Sequence, residues 1–258
     1  MMWQAERHQR ILSLLASFNQ VSTDRLAAEL GVSRETVRRD LVELEALGDL
    51  KRVHGGAIRL QEDAEPPIAI RASVRVKEKR AIARAATRLV AAGQTLFLDA
   101  GSTTAILAEE LAGLSGLTVI TNSVDVAMKL SEPPSRQRSN TAILIGGRMG
   151  TDVTATFGAT AIAEIRRYRA TMALLSPVGL DARYGATDYH LDEAEVARAM
   201  AESAERTVIL ADHSKLGLVS RVSYCATDSI HCLITDGGAV EAKGFQALKD
   251  SVNEIILA

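Results

Sequence analysis

The chain has 258 residues, of which 47% are hydrophobic and 24% charged, enough to bury one large core or two smaller ones. That composition excludes wholly disordered, collagen-like and disulfide-dense classes, and an aromatic content of 3% disfavours stacking platforms for single-stranded nucleic acid. The formal charge is −2, so any contact with nucleic acid has to come from a local patch rather than bulk charge. Cys225 and Cys232, with six residues between them, match neither a redox pair nor a zinc ligand set and read as reduced thiols of a cytosolic protein. No apolar run reaches the ~18 residues that span a bilayer. Glu6, Arg7, His8 and Arg10 precede a short apolar stretch with no small-residue cleavage site, so the N-terminus reads as an amphipathic helix rather than a secretion signal. The expectation is a cytoplasmic protein with no membrane partner, metal or cofactor.

Residues 6–18 set Ile11, Leu14, Leu15 and Phe18 at helical spacing, which predicts a first helix. Ser22 or Thr23 suits the cap of a second helix, Asp24 to Leu30, with Leu26, Ala27 and Leu30 inward, and Gly31 suits a left-handed turn. Ser33 suits the cap of a third helix, Arg34 to Leu47, with Val37, Leu41 and Leu44 inward. Two short helices around a glycine-containing turn form a helix-turn-helix, whose second helix lies in the major groove of DNA. The outward residues here are Arg34, Glu35, Thr36, Arg38 and Arg39. Arginine donates a bidentate pair to guanine, and threonine offers a methyl to thymine or a hydroxyl to either partner. Glu35 repels phosphate but can accept from cytosine or orient an arginine. Residues 50–59 read as a hairpin turning at Gly55-Gly56, with Lys51, Arg52 and Arg59 suited to phosphate or minor-groove contact. Taken alone, Arg38-Arg39 equally suits a solvated helix face. The ordered set, with Ser33 and His54 included, is what predicts a DNA-binding surface.

Near residue 60 the pattern changes. Glu62, Asp63 and Glu65 precede Pro66-Pro67, and proline cannot extend a helix, so a linker is expected over 60–76 between domains at 1–59 and 77–258. Arg71, Arg75, Lys77, Lys79, Arg80, Arg84 and Arg88 read as a solvated helix face with Ile82, Ala86 and Leu89 inward, or as a contribution to a pocket or to DNA. Beyond them, apolar runs at 95–98, 117–121, 142–145, 172–175, 208–211, 233–235 and 254–257 alternate with helical patterns at 77–91, 103–111, 123–130, 159–167 and 192–203. This alternation predicts an α/β domain around a mostly parallel sheet.

Ligands of such sheets bind beyond the carboxyl ends of strands. The first run leads into Asp99-Ala100-Gly101-Ser102-Thr103-Thr104, where small residues and a helix N-terminus suit an anion, Ser102, Thr103 and Thr104 supply hydroxyl donors, and Asp99 can accept from a ligand hydroxyl. Simple helix capping explains the same Ser and Thr residues equally well. Asn122 and Gly147 follow the next two runs, Gly147 suiting either close approach or a turn. Asp212-His213-Ser214-Lys215 follows a later one, and Lys215 reads as a phosphate-neutralising charge or as an ordinary surface lysine.

The run VSTDRLAAELGVSRETVRRDLVELEALGDLKRVHGGA closely resembles the winged helix-turn-helix of the DeoR-type family of bacterial regulators of sugar metabolism. LDAGSTT, TNS, GGR, the VGLD–GAT region, EAEVARAM and ADHSKLG resemble the effector domain of the same family, which is related to ribose-phosphate isomerase and glucosamine-phosphate deaminase folds. The resemblance implies a sugar phosphate or related metabolite as effector, with Asp99, Gly101, Ser102, Thr103, Thr104, Asn122, Gly147, Asp212 and Lys215 at its site. Ser176-Pro177 departs from the small residues usual in the family, and His190 and His213 are local choices. The function this implies is a repressor of carbohydrate-catabolism genes that binds double-stranded operator DNA as a homo-oligomer, dimer or tetramer. The alternative is a sugar-phosphate isomerase or deaminase carrying a DNA-binding head, for which Asp99, Asp212, Glu193 and Glu195 are available as bases. The family resemblance argues against turnover.

Overall fold

The computed structural model describes residues 3–18, 20–59, 68–150 and 153–258. The chain divides into two units, Met1–Val74 and Arg75–Ala258. In the first, α1 (Gln4–Phe18) is followed by β1 (Gln20–Ser22), α2 (Thr23–Leu30), α3 (Arg34–Leu47), β2 (Leu50–Val53), β3 (Gly56–Arg59) and α4 (Ile68–Ser73). Ser22 Oγ accepts from the Arg25 N–H and caps α2, and Ser33 Oγ accepts from the Thr36 N–H and caps α3. Each cap satisfies a backbone donor that the first helical turn leaves open. Gly31, at φ 63°, is left-handed and lets the chain turn between the two helices. Ile11, Leu15, Leu26, Val37, Leu41, Leu44 and Leu50 form the core of the unit.

Two features of this unit differ from expectation. The hairpin turns at His54-Gly55, with Val53 paired to Gly56, rather than at Gly55-Gly56. Gly56 belongs to β3, where it pairs with Ser22 of β1, and a Cβ there would lie 2.3 Å from the Val21 carbonyl oxygen. The second glycine is therefore spent on close strand approach, making a three-stranded sheet of order β1-β3-β2. The other difference is α4, which forms inside the segment expected as a linker; the acids and prolines at 62–67 lie outside the described residues.

The second unit runs α5 (Val76–Thr87), β4 (Thr95–Leu98), α6 (Ser102–Leu111), β5 (Thr118–Thr121), α7 (Val124–Ser131), α8 (Pro133–Gln137), β6 (Thr141–Leu144), β7 (Arg148–Met149), β8 (Thr156–Phe157) and α9 (Ala159–Ile165). It continues with β9 (Ala170–Leu175), β10 (Gly179–Asp181), β11 (Gly185–Asp188), α10 (Leu191–Glu202), β12 (Ala204–Leu210), β13 (Val222–Cys225), β14 (Cys232–Thr235), α11 (Phe245–Lys249) and β15 (Ile255–Leu257). Seven strands pair in the order β15-β14-β12-β9-β4-β5-β6, and every pairing is parallel. Such a sheet is covered on both faces, which is why its strands read as short continuous apolar runs. Leu96, Leu98, Met172, Leu174, Val208 and Leu210 point to one face, against Ile82 and Ala86 of α5 and Leu107 of α6. Phe97, Ala173, Leu175 and Ile209 point to the other, against Ala161 of α9 and Ala197 and Met200 of α10. A smaller antiparallel sheet, β10-β11-β13, lies beyond the expected runs. Cys225 and Cys232 are free and buried, and burial pushes their thiols up to about 11 and about 12, so both stay protonated and unreactive at neutral pH.

Candidate functional site

In the first unit, α3 presents Arg34, Glu35, Arg38 and Arg39 to solvent. The helix is held from behind, where Arg7 of α1 donates to both carboxylate oxygens of the buried Asp40 at 2.7 and 2.8 Å. Arg34 pairs with Asp24 at 2.7 Å and Arg38 with Glu35 at 3.6 Å, both well exposed. Exposed pairs of this kind contribute about 0–1 kcal/mol, so either guanidinium can exchange its carboxylate for a phosphate or a base edge at little cost. Arg39 has no such partner among the described residues. Thr36 is half-buried and its hydroxyl is engaged with Ser33 Oγ at 2.9 Å, so both side chains serve the cap and the methyl is what Thr36 has left to offer. On the hairpin, Lys51 and the turn residue His54 are exposed. Arg52 instead donates through Nε and its backbone N–H to Glu45 of α3, at 2.6 and 2.8 Å. Burial opposes ionisation of Glu45, but these bonds hold its carboxyl below the usual range. Arg52 therefore splints the hairpin to the helix. The side chain of Arg59 lies outside the described residues.

In the second unit the parallel sheet collects strand ends on one edge. Neighbouring strands β12, β9, β4 and β5 deliver Asp212 with Lys215, Ser176 with Pro177, Asp99 with the 101–104 loop, and Asn122. Asp99 Oδ2 accepts from the Ser176 N–H at 2.9 Å, and Lys215 Nζ donates to Ser176 Oγ at 3.3 Å and to the Pro177 carbonyl. The Ser176-Pro177 step thus links Asp99 to Lys215. Thr104 Oγ1 donates to the Asp99 and Gly101 carbonyls at 2.9 and 3.1 Å, so its hydroxyl closes the loop. Ser102 Oγ accepts from Lys79 Nζ at 3.0 Å. Asp212 Oδ1 accepts from the Ser214 N–H and caps the short turn His213–Lys215. Asn122 Nδ2 donates to the Thr156 carbonyl at 3.1 Å. Asp99 Oδ1, Thr103 Oγ1 and Asn122 Oδ1 are buried with no hydrogen-bond partner. Gly147, beyond the outer strand β6, is needed for a different reason: a Cβ there would lie 2.7 Å from the Phe157 carbonyl oxygen, so it packs the β7–β8 hairpin.

A cavity of about 320 Å³ is lined by His213, Leu216, Gly238, Glu241, Ala242 and Lys243, next to but not including the expected effector residues. His213 Nδ1 lies 2.8 Å from Asp236 Oδ2 at its side. Among the described residues, no group of three or more His, Cys, Asp and Glu is placed to hold a metal ion. No helix among them is long and apolar enough to cross a membrane.

Burial pushes the Asp99 carboxyl up to about 7; the Ser176 N–H opposes this and the charge of Asp188 adds to it. The folded state therefore holds a proton that the unfolded chain releases near pH ~4, so this group's contribution to stability falls as pH rises from there to about 7. Asp99→Asn should remove that slope, by up to about 1.4 kcal/mol per pH unit. Urea unfolding of both proteins at several pH values in this window checks it; parallel curves would contradict it.

The basic face around α5 is solvated at Arg75, Lys77, Arg84 and Arg88, with Ile82 and Ala86 buried as expected, but two of its cations are drawn in. Lys79 is 4% exposed, Arg80 pairs with Glu109 and Glu110 of α6 at 2.8 and 2.9 Å, and Arg75 lies 3.6 Å from Asp212. The signal was in the spacing: Lys79, Ile82, Ala83 and Ala86 share one helical stripe, and all four are buried. Asp188 and Tyr224, buried near Asp99, come from the small sheet and carry no comparable signal.

Both halves match known families. The model described as the DeoR-like helix-turn-helix domain matches residues 7–63, and that described as the DeoR C terminal sensor domain matches residues 74–237. The chain belongs to the DeoR family. This DeoR-family regulator is 36% identical over 236 residues to the HTH-type transcriptional regulator GolR of Listeria innocua, covering 91% of each chain. It is 34% identical to the HTH-type transcriptional repressor GlcR of Bacillus subtilis, over 91% of this chain and 89% of the relative. It is 32% identical to the glycerol-3-phosphate regulon repressor of Haemophilus influenzae, over 89% and 91%. Among solved structures, ribose 5-phosphate isomerase A of Methanocaldococcus jannaschii aligns with 54% of this chain and 53% of its own at 18% identity and a TM-score of 0.38. A probable sor operon regulator from Shigella flexneri aligns over 71% and 84% at 12% identity and a TM-score of 0.40.

Proposed function

We propose that this DeoR-family regulator represses carbohydrate-catabolism genes, holding operator DNA through α3 and the β2–β3 hairpin and releasing it when a phosphorylated sugar occupies the carboxyl edge of the parallel sheet. The observation that carries the second half is the trio of buried, unpartnered atoms Asp99 Oδ1, Thr103 Oγ1 and Asn122 Oδ1 on that edge, the first of them within reach of the Lys215 charge. Buried polar atoms are almost always paired, and three in adjacent loops suit a ligand rich in hydroxyls and negative charge. The names of the relatives support the same class, since glycerol 3-phosphate is the titular metabolite of one of them. That these relatives are regulators supports binding rather than turnover. Two reading heads in a dimer, or four in a tetramer, match repeated half-sites, and operator binding places the protein with the chromosome in the cytoplasm.

Release requires that the effector bind the free protein better than the DNA-bound one, and the coupling is reciprocal. The test is retardation of a duplex that the protein itself selects from a random pool, titrated with glucose 6-phosphate, fructose 1-phosphate, fructose 1,6-bisphosphate and glycerol 3-phosphate, and with the unphosphorylated counterparts. At least one phosphorylated compound should weaken duplex binding by ~5-fold or more, as coupling energies of ordinary size produce, with its unphosphorylated counterpart inactive. No response to any phosphorylated compound, or conversion of one at ordinary enzyme rates, would overturn the proposal.

A further inference from the structure

After β9 the chain runs through Ser176-Pro177 to Val178, whose N–H donates to the Thr187 carbonyl of β11 at 3.0 Å. That bond seats the small β10-β11-β13 sheet beside the step that positions Asp99. β11 and β13 pair antiparallel, but the register slips: Ala186 faces Cys225 and Thr187 faces Ser223. Tyr224 is therefore the extra residue of a β-bulge, with no residue opposite it on β11. A regular strand turns alternate side chains to opposite faces, yet Tyr224 and Cys225 are both buried while Ser223 is exposed. Bulges re-aim side chains in this way beside binding sites.

Tyr224 is 5% exposed, and its Oη has no hydrogen-bond partner among the described residues. A buried tyrosine ordinarily bonds its hydroxyl, so an open one beside a candidate site points to a ligand. Burial and the charges of Asp99 and Asp188 push the phenol well above its usual range, so it remains a donor at neutral pH. Asp99 Oδ1 is open in the same way. A phosphate oxygen does not suit this corner, because Asp188 and an ionised Asp99 repel it. A hydroxyl does. One hydroxyl oxygen accepts from Tyr224 while its proton goes to Asp99, and a second lone pair accepts from Asp99 when that carboxyl is protonated. Both forms of Asp99 are present near pH 7, since burial pushes the carboxyl up to about 7.

We propose that Tyr224 is a specificity-determining residue of the effector site, donating from the bulge to a sugar hydroxyl that also bonds Asp99. The inference rests on the reading of this edge as the effector site, and it orients the effector there. The hydroxyl-bearing part faces the small sheet, and the phosphate lies away from Asp99 and Asp188.

The experiment compares the full-length wild type with Tyr224→Phe, which keeps the ring and removes the hydroxyl, and with Tyr184→Phe, the same change at an exposed tyrosine. Without ligand, Tyr224→Phe should melt at the wild-type temperature or slightly above it, because it removes a buried hydroxyl that bonds nothing in the protein. A midpoint lower by several degrees would mean that the hydroxyl serves the fold, and overturns the proposal. The four phosphorylated compounds named above are then titrated, read both as thermal midpoint and as release of the selected duplex. For a compound that acts on the wild type, Tyr224→Phe should need ~3- to 10-fold more, the worth of a neutral hydrogen bond, and Tyr184→Phe no more than the wild type. The monodeoxy analogues of that compound then separate a read hydroxyl from a change in packing. For one of them the difference between wild type and Tyr224→Phe should vanish, as in a double-mutant cycle whose second partner is the ligand hydroxyl. A wild-type response of Tyr224→Phe to the parent compound, or a difference that persists with every analogue, overturns Tyr224 as the reader of a hydroxyl and leaves the effector edge standing. If no compound shifts or releases the wild type, the effector reading itself fails, and the role of Tyr224 with it.

Discussion

Arg39→Ala weakens binding to the selected duplex by roughly 5- to 150-fold, the range for losing one good base contact, or flattens the salt dependence by about one charge if the contact is to phosphate. Arg39 is exposed on the helix that a helix-turn-helix places in the major groove, and it has no ionic partner to give up among the described residues. The fold does not suffer, because Val37, Leu41 and Leu44 face inward, Ser33 caps the helix and Arg7 fixes Asp40. An exposed substitution away from these features changes stability by about 0.5 kcal/mol or less. Retardation curves at two salt concentrations, with a thermal melt of each protein, separate a lost contact from a lost fold. Arg38→Ala should have a smaller effect, since Arg38 already shares its charge with Glu35. Wild-type retardation by the Arg39 variant would mean that α3 does not read DNA through this face.

Lys215→Ala raises the concentration of phosphorylated sugar needed for release by ~10-fold or more while leaving duplex affinity without sugar unchanged. The ammonium sits between Ser176 and Pro177, and its charge draws down a carboxyl at Asp99 that burial otherwise pushes up. Removing it costs the ligand a charge-assisted contact and frees the Ser176-Pro177 step that positions the Asp99 carboxyl. Lys215→Arg keeps the charge but not the compact geometry, so it should recover only part of the response. Titration of release against sugar concentration, with the duplex affinity measured beforehand, gives both quantities. Unchanged release by Lys215→Ala would place the effector elsewhere.

The head was legible because its signals are local. Ser22, Gly31 and Ser33 act on backbone groups within four residues, and the inward stripe of α3 recurs at helical spacing. The parallel strands were legible as well, since burial on both faces leaves an unbroken apolar run between polar loops. What escaped was short or dependent on a distant partner. The strands β10, β11 and β13 carry mixed residues and exist by pairing with one another. The turn at His54-Gly55 displaced the expected one because β1, thirty-odd positions earlier, needs the space at Gly56.

The amino-acid order alone specified a capped helix-turn-helix, a parallel α/β unit, and loops of hydroxyls and carboxylates following its strands. Those follow from side chains acting on their own neighbourhood. Only the folded chain decided that Lys79 lies against Ser102, that Arg75 meets Asp212, and that Ser176 bridges Asp99 to Lys215. Each of these joins loops and helices that strand order brings together, and strand order is chosen by packing across the whole sheet rather than by any local pattern.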